Sequence, residues 1–262
     1  MEQAREPGLV ARLVNKYFAQ LLLLAILIAL IIMLSGVSEY FFAWKNFRNI
    51  LDQCAVYLIL SVGMTFVVAS GGVDLSVGSL AGLSGVIMAV LMKAGLPVVS
   101  AIGLGMLTGV LIGVVNGLII ARLKINPFIT TLAMMTIARG IALILTGGVS
   151  IYGFAQGFKW WGSGSIGALN PPILLSLLIA AIGMVLLGRT LWGKYCLALG
   201  GNAEALRRTG VNTKAYLVSI YAVSGFCAAI AGLIMTARLN SAAPLAGATY
   251  EMDAIADVVL GG

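Results

Sequence analysis

Apolar residues run without a break through seven stretches of the chain, roughly 17–38, 54–70, 78–93, 97–121, 127–146, 171–188 and 214–237. A hydrocarbon core takes about 20 apolar residues of helix to cross. The runs are continuous rather than alternating, which excludes a transmembrane β-barrel. The pattern therefore predicts an all-α fold, a polytopic transmembrane helical bundle with seven spans. The charged residues of 1–16 precede a run of 22 apolar residues, too long for the core of a cleaved signal, so that run is expected to stay as an uncleaved anchor.

The interruptions carry more information than the spans. Segments 54–70 and 78–93 are short and are joined by Gly71-Gly72-Val73-Asp74-Leu75-Ser76-Val77-Gly78-Ser79, which holds no Lys or Arg. Short, glycine-broken apolar segments are a sequence pointer to a transport pathway. A carboxylate facing lipid costs about 3 kcal/mol on insertion scales, so Asp74 must face water, protein or a cavity. Asp74 and Ser76 fit two compatible roles, caps for the next helix and walls of a translocation pathway. Arg139 lies within the span at 127–146, where a guanidinium pairs, lines a cavity or snorkels. Pairing with an acid such as Asp74 or Glu251 is the default expectation, and recognition of substrate hydroxyls the alternative.

Span 97–121 carries Gly105, Gly109, Gly113 and Gly117 at four-residue spacing, with Gly103 beside them. Such a ridge lets a second helix approach closely in lipid, where apolar side chains gain nothing by leaving an equally apolar solvent. Packing within the subunit is favoured over a subunit interface. Asn126-Pro127 and Asn170-Pro171 each set a capping residue before proline at the first helical position. Residues 147–170, with seven glycines, read as a non-spanning loop. Its Tyr152, Phe154, Phe158, Trp160 and Trp161 are expected to anchor at headgroup depth.

One polar stretch between apolar runs has the marks of a lone short helix. In Gly200-Gly201-Asn202-Ala203-Glu204-Ala205-Leu206-Arg207-Arg208-Thr209-Gly210, Asn202 suits the N-cap and Gly210 the C′ stop. Glu204 complements the positive end of the helix dipole, and Arg207 and Arg208 the negative end. A helix of so few residues does not persist alone in water, so it must dock on something. A capped peg on one face of a membrane protein suits a soluble partner that pushes on it.

Composition agrees. The chain is 61% hydrophobic and 10% charged, against about 25% charged in soluble domains. With the N-terminus inside, Arg5, Arg12, Lys16, Arg122, Lys124, Arg189, Lys194, Arg207, Arg208 and Lys214 fall on the cytoplasmic side. Lys45, Arg48, Lys93, Lys159 and Arg238 fall outside, a bias that supports a cytoplasmic N-terminus. The net charge of +7 reads as anchoring to anionic lipid. No basic stripe with interleaved aromatics points to nucleic acid. Histidine is absent, which removes Ser–His dyads, His-ligated metals and His proton relays. Cys54, Cys196 and Cys227 map outside, inside and mid-span, so neither a disulfide framework nor a metal site is expected, and no cofactor. Gly162-Ser163-Gly164 reads as flexible loop, not as a nucleophile motif.

Three stretches, taken in order, resemble a known family. They are Gly63-Met64-Thr65-Phe66 leading into Gly71–Ser79; Asn116-Gly117-Leu118 through Asn126-Pro127-Phe128-Ile129-Thr130-Thr131-Leu132 and Ala138-Arg139-Gly140; and Ala198-Leu199-Gly200-Gly201-Asn202 through Ala205, Thr209-Gly210-Val211 and Ser224-Gly225 to Ala231-Gly232. Tyr250-Glu251-Met252-Asp253-Ala254-Ile255-Ala256 and Gly261-Gly262 add to the match. The chain resembles the ribose-type permeases of ATP-binding-cassette sugar importers. The resemblance implies an inner-membrane subunit of a prokaryote that dimerises and accepts a monosaccharide from a periplasmic sugar-binding protein. It also implies that a cytoplasmic ATP-binding subunit is engaged through Gly201, Asn202, Glu204, Ala205, Leu206, Arg207, Arg208 and Gly210 as a coupling helix. Family members usually have about ten spans, so this chain looks truncated after seven.

No glycine-rich phosphate loop ending in Lys-Ser or Lys-Thr occurs, so ATP hydrolysis is expected on the partner and the chain is expected not to be an enzyme. Nucleoside or branched-chain amino-acid import by a related permease is the nearest alternative. Ion-coupled secondary transport is a further one, disfavoured by the sparse intramembrane charge.

Overall fold

The computed structural model describes residues 9–261, with side chains from Phe18 and from Leu21 onward. Residues 1–8, the side chains of Arg12 and Lys16, and Gly262 lie outside the described residues. Five helices are long and apolar enough to cross a membrane: α2 (Trp44–Ala69), α4 (Val98–Leu123), α5 (Pro127–Thr146), α7 (Pro171–Arg189) and α9 (Thr213–Leu239). The Leu21–Val37 portion of α1 (Leu9–Val37) and the whole of α3 (Val77–Lys93) are shorter apolar helices. All seven anticipated runs are therefore helical. Three further helices, α6 (Gln156–Ser163), α8 (Leu191–Arg208) and α10 (Tyr250–Gly261), fall where no span is expected.

The chain divides after Ile50 into two compact units. In the first, α1 exposes apolar side chains all around its circumference, from Leu21 through Leu24 to Ile32 and Val37, as a lipid-facing helix does. A tight turn follows, in which Asn46 Nδ2 donates to the Phe41 carbonyl at 2.9 Å.

The second unit is organised around α9. Ile220, Tyr221, Ala228, Ala231 and Ile234 are wholly buried there, and α3, α4, α6 and α8 all pack on this helix. The glycine ridge explains the tightest of these contacts. A Cβ at Gly109 would meet the Gly225 carbonyl, one at Gly113 the Tyr221 carbonyl, and one at Gly117 would lie 2.6 Å from Val218 Cα. Gly105 instead faces Met88 and the Ser84 carbonyl of α3. The ridge thus packs inside the subunit, with backbone against backbone. Gly103 faces open space.

The glycine-rich segment 147–170 differs from the expected loop. Ile151–Tyr152 (β1) pairs antiparallel with Ser241–Ala242 (β2), and α6 packs on α9. Gly162, read as flexible loop, lies in α6 so close to the backbone of Ala237 and Arg238 that no side chain fits. Phe154 and Phe158 are buried rather than anchored at headgroups: α6 carries Phe158 into the core, and Phe154, its N–H held by Asn240 Oδ1 at 2.9 Å, packs edge-on against that ring. Tyr152 and Trp160 remain exposed.

Candidate functional site

A break separates α2 from α3 over residues 70–76, shorter than the expected Gly71–Ser79 because Val77, Gly78 and Ser79 already belong to α3. Its polar groups are closed on themselves. Asp74 is wholly buried, and its Oδ1 accepts from the Ser76 backbone N–H at 3.0 Å and from Ser76 Oγ at 2.5 Å. Its Oδ2 accepts from Ser224 Oγ of α9 at 2.9 Å. Ser76 Oγ in turn accepts from Asn116 Nδ2 of α4 at 3.0 Å. Two more helices satisfy the exposed backbone of the break. Thr131 of α5 accepts from the Leu75 N–H at 3.1 Å, and Tyr221 of α9 donates to the Val73 carbonyl at 3.3 Å. A helix interrupted inside a bilayer needs such substitutes for its lost ladder, since lipid offers none.

Ser76 stands at the N-cap of α3 but makes no side-chain cap bond, a correction to its expected role. Its hydroxyl goes to Asp74 instead. Asp74, two residues upstream, is the acceptor that orders the helix entry. Asn116, Thr131, Ser224 and Tyr221 received no role from sequence. The signal was polar side chains on otherwise apolar spans.

Arg139 is half-buried on α5, and its Nη2 is buried with no hydrogen-bond partner. The expected pairing with Asp74 or Glu251 is not formed. Asp74 has its oxygens filled by hydroxyls and an amide, and Glu251 Oε2 is itself buried without a partner. Asn126 caps α5 as expected, accepting from the Phe128 N–H at 2.9 Å. Asn170 does not cap α7. Its amide donates to buried Asp52 at 2.5 Å, from 118 positions away.

The capped peg is not a lone helix but the second limb of α8, which bends at Asn202 (φ −157°, ψ 92°). The first limb, Leu191 to Gly201, is held by Thr190, which accepts from the Gly193 N–H at 3.1 Å. Cys196 Sγ lies 3.2 Å from the Phe66 carbonyl, and Gly200 abuts Ala69 and Gly71 at the edge of the break. The caps of the second limb are as anticipated: Asn202 Oδ1 accepts from Ala205 N at 2.8 Å, and Gly210 takes φ +86°. Gly201, Asn202, Glu204, Ala205, Arg207, Arg208 and Gly210 are exposed, while Leu206 alone of the set is buried. Arg207 grips Glu204 bidentately, with both contacts at 2.9 Å, and Arg208 adds a third at 3.3 Å. Hydrogen bonds from these two guanidinium groups hold the Glu204 carboxyl below the usual carboxylate range.

A groove that sequence did not single out runs along α2 beside α10. One chamber of about 570 Å³ is lined by Cys54, Tyr57, Leu58, Ser61, Asp253 and Asp257. A neighbouring one of about 370 Å³ includes Gln53, Tyr57, Arg238 and Tyr250. Tyr57 lines both, and its ring packs on that of Tyr250 with centroids 4.8 Å apart. Ser61 donates to Asp257 at 2.9 Å.

Residues 46–262 match the family described as branched-chain amino acid transport system / permease component. The chain belongs to this permease family. Among the permease's relatives, the ribose import permease protein of Haemophilus influenzae is 41% identical over 240 residues, covering 90% of this chain and 74% of the relative. The ribose import permease protein of Bacillus subtilis is 43% identical over 238 residues, with the same coverage. The D-allose transport system permease protein of Escherichia coli is 36% identical over 241 residues, covering 92% of this chain and 73% of the relative. No solved structure matches the permease significantly. A multi-pass membrane permease of the ribose type is thus the frame for its chemistry.

Proposed function

We propose that this chain is the transmembrane subunit of an ATP-driven importer for a monosaccharide, a pentose or hexose, in the inner membrane of a prokaryote. The observation that carries the reading is the bent helix α8: its second limb offers an exposed, capped face while Leu206 and the first limb root it in the bundle. A short helix so mounted suits a cytoplasmic ATP-binding subunit, on which hydrolysis would take place. The substrate class rests on the relatives, whose names specify ribose and allose.

A periplasmic sugar-binding protein would deliver the substrate, a second permease subunit would complete a homodimer, and the N-terminus would face the cytoplasm. Asp74 and Ser76 serve the pathway by locking the broken helix, since their bonds are directed at protein and not at open space. Arg139, with a nitrogen left unpaired, is the group in the notional pathway set that could still meet a hydroxyl.

The family description names branched-chain amino acids, so a test panel needs both classes. The full-length permease, reconstituted with the ATP-binding and binding-protein subunits, is expected to accumulate D-ribose or D-allose on ATP addition. Accumulation of leucine with neither sugar moved would replace the proposal.

A further inference from the structure

We propose that the groove between α2 and α10 is the surface along which the sugar passes, with Tyr57, Tyr250, Ser61, Asp253 and Asp257 touching it. This rests on the importer reading above and gives it contact residues.

Ser61 lies near the middle of α2, two residues from Gly63, which packs on Ser224 and Cys227 midway along α9. The groove therefore runs along α2 from Gln53 and Cys54 to bilayer depth at Ser61. Asp253 and Asp257 are nevertheless exposed along it. A carboxylate against lipid at the depth of Ser61 costs about 2.5–3.5 kcal/mol on insertion scales, so Asp257, which bonds Ser61, must meet water, protein or a polar cargo. Unlike Asp74, whose oxygens are filled, these acids keep acceptor capacity: among the described residues Ser61 donates to a single oxygen of Asp257.

The lining fits an uncharged polyol. Carboxyl oxygens accept hydrogen bonds from sugar hydroxyls, and the Ser61 hydroxyl both donates and accepts. The tyrosine faces offer flat apolar surfaces for the C–H side of a sugar ring, with hydroxyls at their tips. Both chambers exceed the lower end of small-molecule pockets, about 300 Å³. The two chambers share Tyr57, whose ring packs on that of Tyr250, so a sugar moving from one chamber to the other would pass over the face of this aromatic pair. Shallow, sequential contacts suit a conduit, which must bind its cargo weakly enough to release it.

The test uses the full-length permease with its partner subunits in proteoliposomes and labelled D-ribose as probe. Asp253→Asn and Asp257→Asn should each lower ATP-driven uptake by about tenfold, the loss expected for one hydrogen bond to a charged group, while subunit assembly is kept. A second readout needs no variant. Cys54 lines the groove and is exposed, whereas Cys196 and Cys227 are buried, so N-ethylmaleimide should add at Cys54 by mass spectrometry. D-ribose with binding protein and ATP should slow that addition, and leucine should not. Wild-type uptake in both variants, or Cys54 addition indifferent to D-ribose during active uptake, overturns the groove. A wild-type assembly that accumulates leucine and moves neither D-ribose nor D-allose overturns the importer reading, and the groove with it.

Discussion

Gly200 of α8 faces the carbonyl of Ala69 at the end of α2 so closely that a methyl group at position 200 would collide with it. Gly71 stands on the other side of the same contact, its own Cβ position 3.5 Å from Gly200 Cα. The helix that presents the exposed peg is therefore in backbone contact with the start of the break that Asp74 locks. A push on α8 reaches the broken helix with no flexible side chain between them.

Gly200→Ala is expected to weaken that contact, lowering the melting temperature and uncoupling transport from ATP hydrolysis. Overpacking of this kind typically costs about 1–3 kcal/mol. Gly188→Ala, at a helical glycine of α7 with nothing within 4 Å, is the control and should melt like the wild type. Thermal melting in detergent with ATPase-coupled uptake checks both.

The glycine ridge makes a sharper contrast. Gly109→Leu and Gly113→Leu push side chains into the backbone of α9 and should cut folded yield severely, beyond the roughly 1–3 kcal/mol of ordinary overpacking. Gly103→Leu on the same helix meets open space and should be tolerated. Equal yields for all three would mean that the ridge does not carry the α4–α9 contact.

Asp74→Ala strands the Ser76 N–H, the Ser76 hydroxyl and the Ser224 hydroxyl in a dry interior. Each stranded group costs about 1–3 kcal/mol, so the variant should be recovered poorly or not at all. Ser224→Ala removes one donor and leaves Asp74 its two bonds from Ser76, so it should fold with a modest drop in melting temperature. Size-exclusion yield and melting of the two variants test the ranking.

Glu204 predicts a pH dependence. Its carboxyl is held below the ordinary glutamate value, near 4.3, by Arg207 and Arg208. A depressed acid contributes order fully above its unfolded value and loses it as pH falls through the lowered folded value. Binding of the ATP-binding subunit should thus be flat from neutral pH to about 5 and decline only in stronger acid. All three side chains are exposed, so added salt should flatten the acid decline. A midpoint near neutrality would assign the dependence to another group.

Local signals were legible in the sequence and long-range ones were not. Seven apolar runs became helices, Asn126 and Asn202 capped where their neighbours said they would, and the ridge at Gly105–Gly117 packed within the subunit. Each of those readings depends on residues within a turn or two. The first limb of α8 escaped notice because Leu191–Gly201 mixes Gly, Lys and Trp with apolar residues and forms only by packing its Cys196 and Leu199 on the bundle. Asn170 looked like a cap because nothing local reveals Asp52, and Arg139 looked paired because sequence does not show that Ser76 and Ser224 already fill Asp74. The α2–α10 groove joins residues about two hundred positions apart, at Ser61 and Asp257, and no periodicity announces it.

Ala205 lies exposed on the capped limb, between Glu204 and the rooted Leu206. The most direct test of the account is ATP-driven D-ribose uptake, measured beside ATP hydrolysis, in the reconstituted full-length assembly with and without Ala205→Glu. The account predicts ATP- and binding-protein-dependent accumulation by the wild type. In Ala205→Glu, membrane insertion should be intact and uptake lost, because a charged side chain has been set into a packed protein dock. Uptake and ATPase binding unchanged in Ala205→Glu would contradict it.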